Sequence, residues 1–180
     1  MEMLREWGIV SRNTFDCPPI KRFVRHYLDR AKVSIDPFAR NRDWCDYTND
    51  LNTETKAQHH MHAIDFLKML VKQKVKADLV IFDPPYSLEQ VKRSYQNIGI
   101  DKIPYADTLN AIGWYKEKEL VNKLLKVKGF FLHFGWHSNG MGMKRGYEIK
   151  EIKLVAHGRA VNDTICMAEQ KLFHQMTLFN

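Results

Sequence analysis

The residues best equipped for chemistry in this 180-residue chain are Asp83-Pro84-Pro85-Tyr86. They follow a short apolar run, Leu79 to Phe82, which reads as a buried parallel strand. The tetrapeptide is therefore expected where the strand runs out, at the carboxyl edge along which open α/β sheets bind their ligands. Two consecutive prolines fix φ and hold the residue before each in an extended shape. The Asp83 carboxylate and the Pro84 carbonyl are then aimed one way, beside an aromatic plane. Two acceptors and a stacking face suit a flat ring that carries an amine. A Pro-Pro turn that only closes a strand is the competing explanation.

The elements that must hold this device alternate. Pro18-Pro19 opens a helix with Ile20, Phe23, Val24, Tyr27 and Leu28 on one face. Strands are expected at 32–36, 45–50 and, weakly, 59–63, the last running into a helix that buries Ala63, Phe66, Leu67 and Leu70. The Asp83 strand covers 77–83. Residues 87–107 read as irregular, 108–125 as a helix with Leu109, Ile112, Leu120, Leu124 and Leu125 inward, and 129–134 as a strand. Residues 135–146 hold four glycines and read as a loop. Two closing strands, 148–156 and 163–172, are joined by 157–162. Strand–helix alternation predicts an α/β fold, a mainly parallel sheet with helices on both faces.

Composition bounds the rest. The length fits one domain, residues 1–174, with a short tail at 175–180. Apolar residues are 44% and charged residues 27%, ordinary for a globular protein. No apolar run approaches the roughly 20 residues of a membrane span, and the charged first residues do not read as a signal peptide. Cys17, Cys45 and Cys166 fit neither a disulfide framework nor a zinc pattern, so a reducing cytoplasm is expected. His59, His60 and His62 lack partners at metal-ligand spacing, and no metal is expected. Lysine and arginine outnumber aspartate and glutamate by 28 to 21, a formal charge of +7 that favours a polyanionic partner. Lys72, Lys74 and Lys76 are expected on the rim opposite Asp83. Lys92, Arg93, Lys144 and Arg145 are expected on connections leaving the carboxyl rim, where they would meet phosphates.

Asp-Pro-Pro-Tyr after an apolar strand resembles motif IV of the S-adenosylmethionine-dependent amino-methyltransferases, above all those that modify the exocyclic amine of adenine in DNA. The resemblance spans roughly residues 13–172. Ser34-Ile35-Asp36-Pro37-Phe38-Ala39-Arg40 is similar to motif I of that family, and Phe15 to Ile20 with the following helix to motif X, which closes over the cofactor. The resemblance implies the Rossmann-like seven-stranded sheet with an antiparallel edge. It also implies S-adenosylmethionine as cofactor, with Asp36, Pro37 and Phe38 under its methionine part, Asp50 on the ribose hydroxyls, and Asp65 with Phe66 at its adenine. One departure is plain: Arg40 stands where the family has glycine. Glycine supplies positive φ, so the loop is expected to take another path and to weaken cofactor affinity.

The mechanism implied needs no covalent nucleophile. The amine's lone pair is delocalised into the ring. Hydrogen bonds to Asp83 and the Pro84 carbonyl favour a tetrahedral nitrogen and free that pair, so much of the rate comes from positioning and charge placement. Ring-carbon cytosine methylation needs a cysteine, usually in Pro-Cys, and the chain has only the reverse order, Cys17-Pro18. A base in a duplex must be flipped out or supplied single-stranded. Tyr86 is the expected stacking partner, and Trp136 a second wall. Short, loose recognition, or help from a second copy or partner subunit, follows from the small size. The tail, Gln175-Met176-Thr177-Leu178-Phe179, resembles the peptide by which bacterial replication proteins bind the sliding clamp, with Gln175, Leu178 and Phe179 as contacts; folding back onto the domain is the alternative. RNA amine methylation, or a non-catalytic nucleic-acid-binding subunit with a degenerate motif I, are the alternative functions.

Overall fold

The computed structural model describes residues 1–11, 13–103, 113–158 and 161–173. Among them, seven strands form one sheet: β1 (Glu2–Trp7), β2 (Ser34–Asp36), β3 (Tyr47–Thr48), β4 (Ala77–Phe82), β5 (Leu125–Gly135), β6 (Tyr147–Ala156) and β7 (Thr164–Lys171). Their order is β1-β6-β7-β5-β4-β2-β3. Every pairing is parallel except those of β7, which runs antiparallel to both β5 and β6. Four α-helices lie among the described residues: α1 (Pro18–Leu28), α2 (Ala63–Lys72), α3 (Leu88–Gln96) and α4 (Tyr115–Leu124). No helix among the described residues is long and apolar enough to cross a membrane.

Alternation along β4 divides the core. Leu79 and Ile81 pack under α1 with Phe15, Ile20, Phe23, Val24 and Phe134. Val80 and Phe82 pack on the opposite face with Phe66, Leu67 and Leu70 of α2 and Val121 and Leu124 of α4. All are almost wholly buried, each worth about 1.5–3 kcal/mol for the larger side chains. A strand buried on both faces is what a continuous apolar run predicts, and it fixes the height at which Asp83 leaves the sheet.

Several expectations change. Strand β1 was not anticipated: Glu2–Trp7 is an exposed edge strand beside β6, tied by Glu6 to Lys153 and to Arg22. The second strand shortens to Tyr47–Thr48, and the weak third contracts to one bridge, Asn49 to His59. Residues 88–96 are helical, started by the Ser87 hydroxyl, which accepts the Gln90 N–H. Helix α4 begins at Tyr115 and gives way to β5 already at Leu125; the stretch 108–112, with Leu109 and Ile112, lies outside the described residues. So do Gln175, Leu178 and Phe179 of the tail.

Candidate active site

Four turns converge at the carboxyl ends of β2, β3 and β4 and enclose a cleft of about 670 Å³. Asn49, almost wholly buried, staples three of them: its amide donates to the Pro37 and Met61 carbonyls, and its oxygen accepts the Met61 N–H. Sequence reading passed over this residue; the signal that could have found it is an asparagine directly before an acidic residue at a strand end. Asp50, next to it, lines the cleft and accepts main-chain N–H groups from Arg40 and Asn52 at 3.1 and 2.8 Å.

Arg40 overturns the expectation for its loop. The turn follows the glycine-type path, with Arg40 itself at φ 54°. A left-handed conformation costs a residue with a Cβ roughly 1–2 kcal/mol. Substituting glycine recovers that strain but adds unfolded-chain entropy. Arg40→Gly is therefore expected to raise stability by roughly 0.5–1 kcal/mol, read from urea unfolding; a lowered midpoint would mean that the arginine side chain holds the turn.

Asp83 sits at the cleft floor with Pro84, Pro85 and Tyr86 around it. The Tyr86 hydroxyl donates to Asp83 Oδ1 at 2.5 Å, and the Thr14 hydroxyl lies 3.3 Å from that of Tyr86. Gln90 accepts the Tyr86 N–H, so α3 fixes the end of the motif. Trp136 meets the Tyr86 ring edge-on, centroids 5.8 Å apart. Burial pushes the Asp83 carboxyl up, and the Arg42 guanidinium, then the Tyr86 and Thr14 hydroxyls, oppose that. Arg42 is the second residue that sequence reading missed. It donates to Asp36 Oδ2 at 3.1 Å and to the Phe38 carbonyl at 2.9 Å, and lies 4.2 Å over the Phe15 ring. Asp36 is 2% exposed and spent on this pair and on the Phe38 N–H. It supports the turn from below, while Pro37 and Phe38 face the cleft.

Other residues fall elsewhere than expected. Asp65 points to solvent on α2 and pairs with Lys68, and Phe66 is core. The helix starts at Ala63, which rotates both away from the cleft; Met61, His62 and Ala63 line it instead. Trp114, at φ 52°, joins them through an edge-on contact with Phe38 at 5.3 Å. Lys144 and Arg145 lie on the wrong rim. The connection from β5 crosses the sheet face before β6 begins, so its end reaches the amino edge, where Arg145 pairs with Glu119. Arg93 does line the cleft, paired with Glu89; Lys92 is exposed on the same helix. The three histidines diverge, His59 against Phe66, His60 toward the Asn52 carbonyl, and His62 into the cleft.

His133 of β5 is 2% exposed, its Nδ1 without a hydrogen-bond partner. Burial, then Lys118 and His137, pushes its pKa down to about 3. In the unfolded chain it takes a proton near pH 6.5, and in the folded chain only near 3. Its contribution to stability therefore falls as pH drops through that window, by roughly 2 kcal/mol at pH 5. His133→Phe is expected to flatten the fall in Tm between pH 7.5 and 5; an unchanged fall would assign it to other groups.

No protein-family model matches this chain, and no curated protein matches it. Solved structures do. SMU.776, assigned provisionally as a methyltransferase and complexed with SAH, is 13% identical at a TM-score of 0.57, covering 83% of this chain and 49% of that one. TrmN from Thermus thermophilus is similar at 13% identity and a TM-score of 0.57, over 87% of this chain and 49% of its own. HI0767 of Haemophilus influenzae, provisionally a methylase, gives 12% and 0.51 over 86% of this chain and 98% of its own. The chain thus spans about half the length of the first two. The fold is the Rossmann-like, seven-stranded class I methyltransferase fold.

Proposed function

We propose that the chain is an S-adenosylmethionine-dependent methyltransferase acting on the exocyclic N6 amine of adenine in DNA. The observation that carries this reading is Asp83, followed by its two prolines and Tyr86, on the floor of a cleft whose other arm holds Asp50. The cofactor's chemistry fits the donor set of that arm. Asp50 offers acceptors to ribose hydroxyls, while Phe38, Met61 and Trp114 offer apolar walls to a purine. When bound, S-adenosylmethionine supplies an electrophilic methyl group.

The chain's own residues do the rest. Asp83 and the Pro84 carbonyl accept the two N–H bonds of the target amine, localise its lone pair, and orient it toward the cofactor arm. Asp83 is also placed to take the proton that the nitrogen sheds. Tyr86 and Trp136 provide ring surface for a base taken out of its stack, worth roughly 1–3 kcal/mol per stacked base. The Tyr86 hydroxyl now holds one Asp83 oxygen, so binding of the amine exchanges one donor for another without leaving the carboxylate dry and unpaired.

Incubation with methyl-labelled cofactor and random-sequence DNA, or structured RNA, followed by nucleoside analysis, tests the reading. N6-methyladenine from DNA is the expected product. Label found only in methylcytosine, or only in RNA, would replace it with another amine substrate; cofactor binding without any transfer would favour the non-catalytic alternative.

A further inference from the structure

The connection leaving β5 does more than close the sheet. Residues 136–146 hold a single 3-10 turn, Met143–Arg145, where a covering helix could lie. Part of the face of β6 and β7 is left open beside the cleft. Leu154 and Ile165, cross-strand partners on that face, floor a recess of about 410 Å³. Trp136 forms one wall; Val161, Asn162 and Asp163 form the rim. Trp136, Val161 and Asn162 line the main cleft too, so the two cavities are continuous.

We propose that this recess is a second nucleobase site, holding the base next to the target in the same strand and favouring one with an exocyclic amine, adenine or cytosine. The inference rests on the nucleic-acid reading above and names what that site would select. Its chemistry is that of a base pocket: aliphatic floor, indole wall, and polar groups only at the edge. The Asn162 amide offers a donor and an acceptor, the pair that matches the edge of adenine. Asp163 is an acceptor only; its Oδ1 receives the His157 N–H at 3.3 Å. A carboxylate takes an amine N–H and repels the keto oxygen that thymine and guanine present at the same place. It also repels phosphate, so the rim is suited to a base edge and not to backbone. The route from target to recess runs past Trp136, which touches Tyr86 on one side and closes the recess on the other.

The test uses the full chain, labelled S-adenosylmethionine and short single-stranded oligonucleotides with each of the four bases on either side of one adenine. Selectivity of at least about fivefold for adenine or cytosine at one neighbour is expected, the lower end of what one well-formed base contact discriminates. Asn162→Leu, an exposed position, should reduce it to within about twofold while leaving cofactor affinity by calorimetry unchanged. Asp163→Asn should admit guanine and thymine. No neighbour preference in the unaltered chain, or a preference that both variants retain, overturns the proposal. If cofactor binds and no nucleic acid is methylated, the transfer reading has failed, and fluorescence anisotropy of the same oligonucleotides decides the recess alone. Affinity that follows the neighbouring base and is lost in Asn162→Leu and Leu154→Lys supports it; affinity indifferent to both overturns it.

Discussion

Asp83→Ala is expected to lower turnover by about 10²–10³-fold while leaving the cofactor dissociation constant within about twofold. The magnitude is that of removing one preorganised polar partner from a reacting centre, here an acceptor instead of the better-measured donor. The split between turnover and cofactor binding follows from position: Asp83 lies at the end of β4, whereas Asp50 lies on the other arm of the cleft. The same substitution should leave Tm unchanged or raise it, because burial works against the charged carboxylate in the folded chain. Stored cost of this kind is common where a group is kept for chemistry. Turnover above a tenth of the original would show that the amine is held elsewhere, and a large fall in Tm would show that Asp83 is chiefly structural.

Arg42→Gln should be the most destabilising polar substitution in the site, costing about 3–5 kcal/mol, since it leaves the buried Asp36 carboxylate without its partner. The double variant Arg42→Met, Asp36→Asn should recover most of that loss, because neutral groups of similar size replace a pair and leave no orphaned charge. Activity separates two roles. Arg42 also lowers the Asp83 pKa, so losing the guanidinium moves the acid limb of kcat/KM toward higher pH: less of Asp83 is carboxylate at a given pH. A double variant with restored stability and the acid limb of the original would confine Arg42 to supporting the turn.

What could be read from the chain alone was whatever the local sequence decides. Asp83 to Tyr86 needed only a strand and two prolines, and the structure puts them on the cleft floor. Ile20, Phe23 and Val24 needed only a helical period, and they are core. Asp65 and Phe66 failed because a helix's phase about its axis is set by what it packs on; two residues of rotation separate Ala63, on the cleft, from Asp65 on the solvent side. Lys144 and Arg145 failed because nothing local says that a loop leaving one rim ends at the other. Arg40 failed differently. The loop was expected to leave the glycine-type path, and it does not: neighbouring bonds, Arg40 N–H to Asp50 and Ala39 N–H to the Asn49 carbonyl, hold an arginine at positive φ where glycine is cheaper.

The pairing of β1 with β6 sets an order of assembly. His157 grips the Gly8 carbonyl across 149 residues of chain and joins the loop carrying Val10 and Ser11 to the end of β6. Those two residues line the cleft, so that part of its wall is fixed only once β6 is in place beside β1. Contacts this distant in sequence are slow to close and contribute little until nearly everything between them is folded. During synthesis the first strand therefore waits unpaired; its Met3 and Trp7 stay largely in water even after it pairs, and the part of the cleft wall that carries Val10 and Ser11 is completed last.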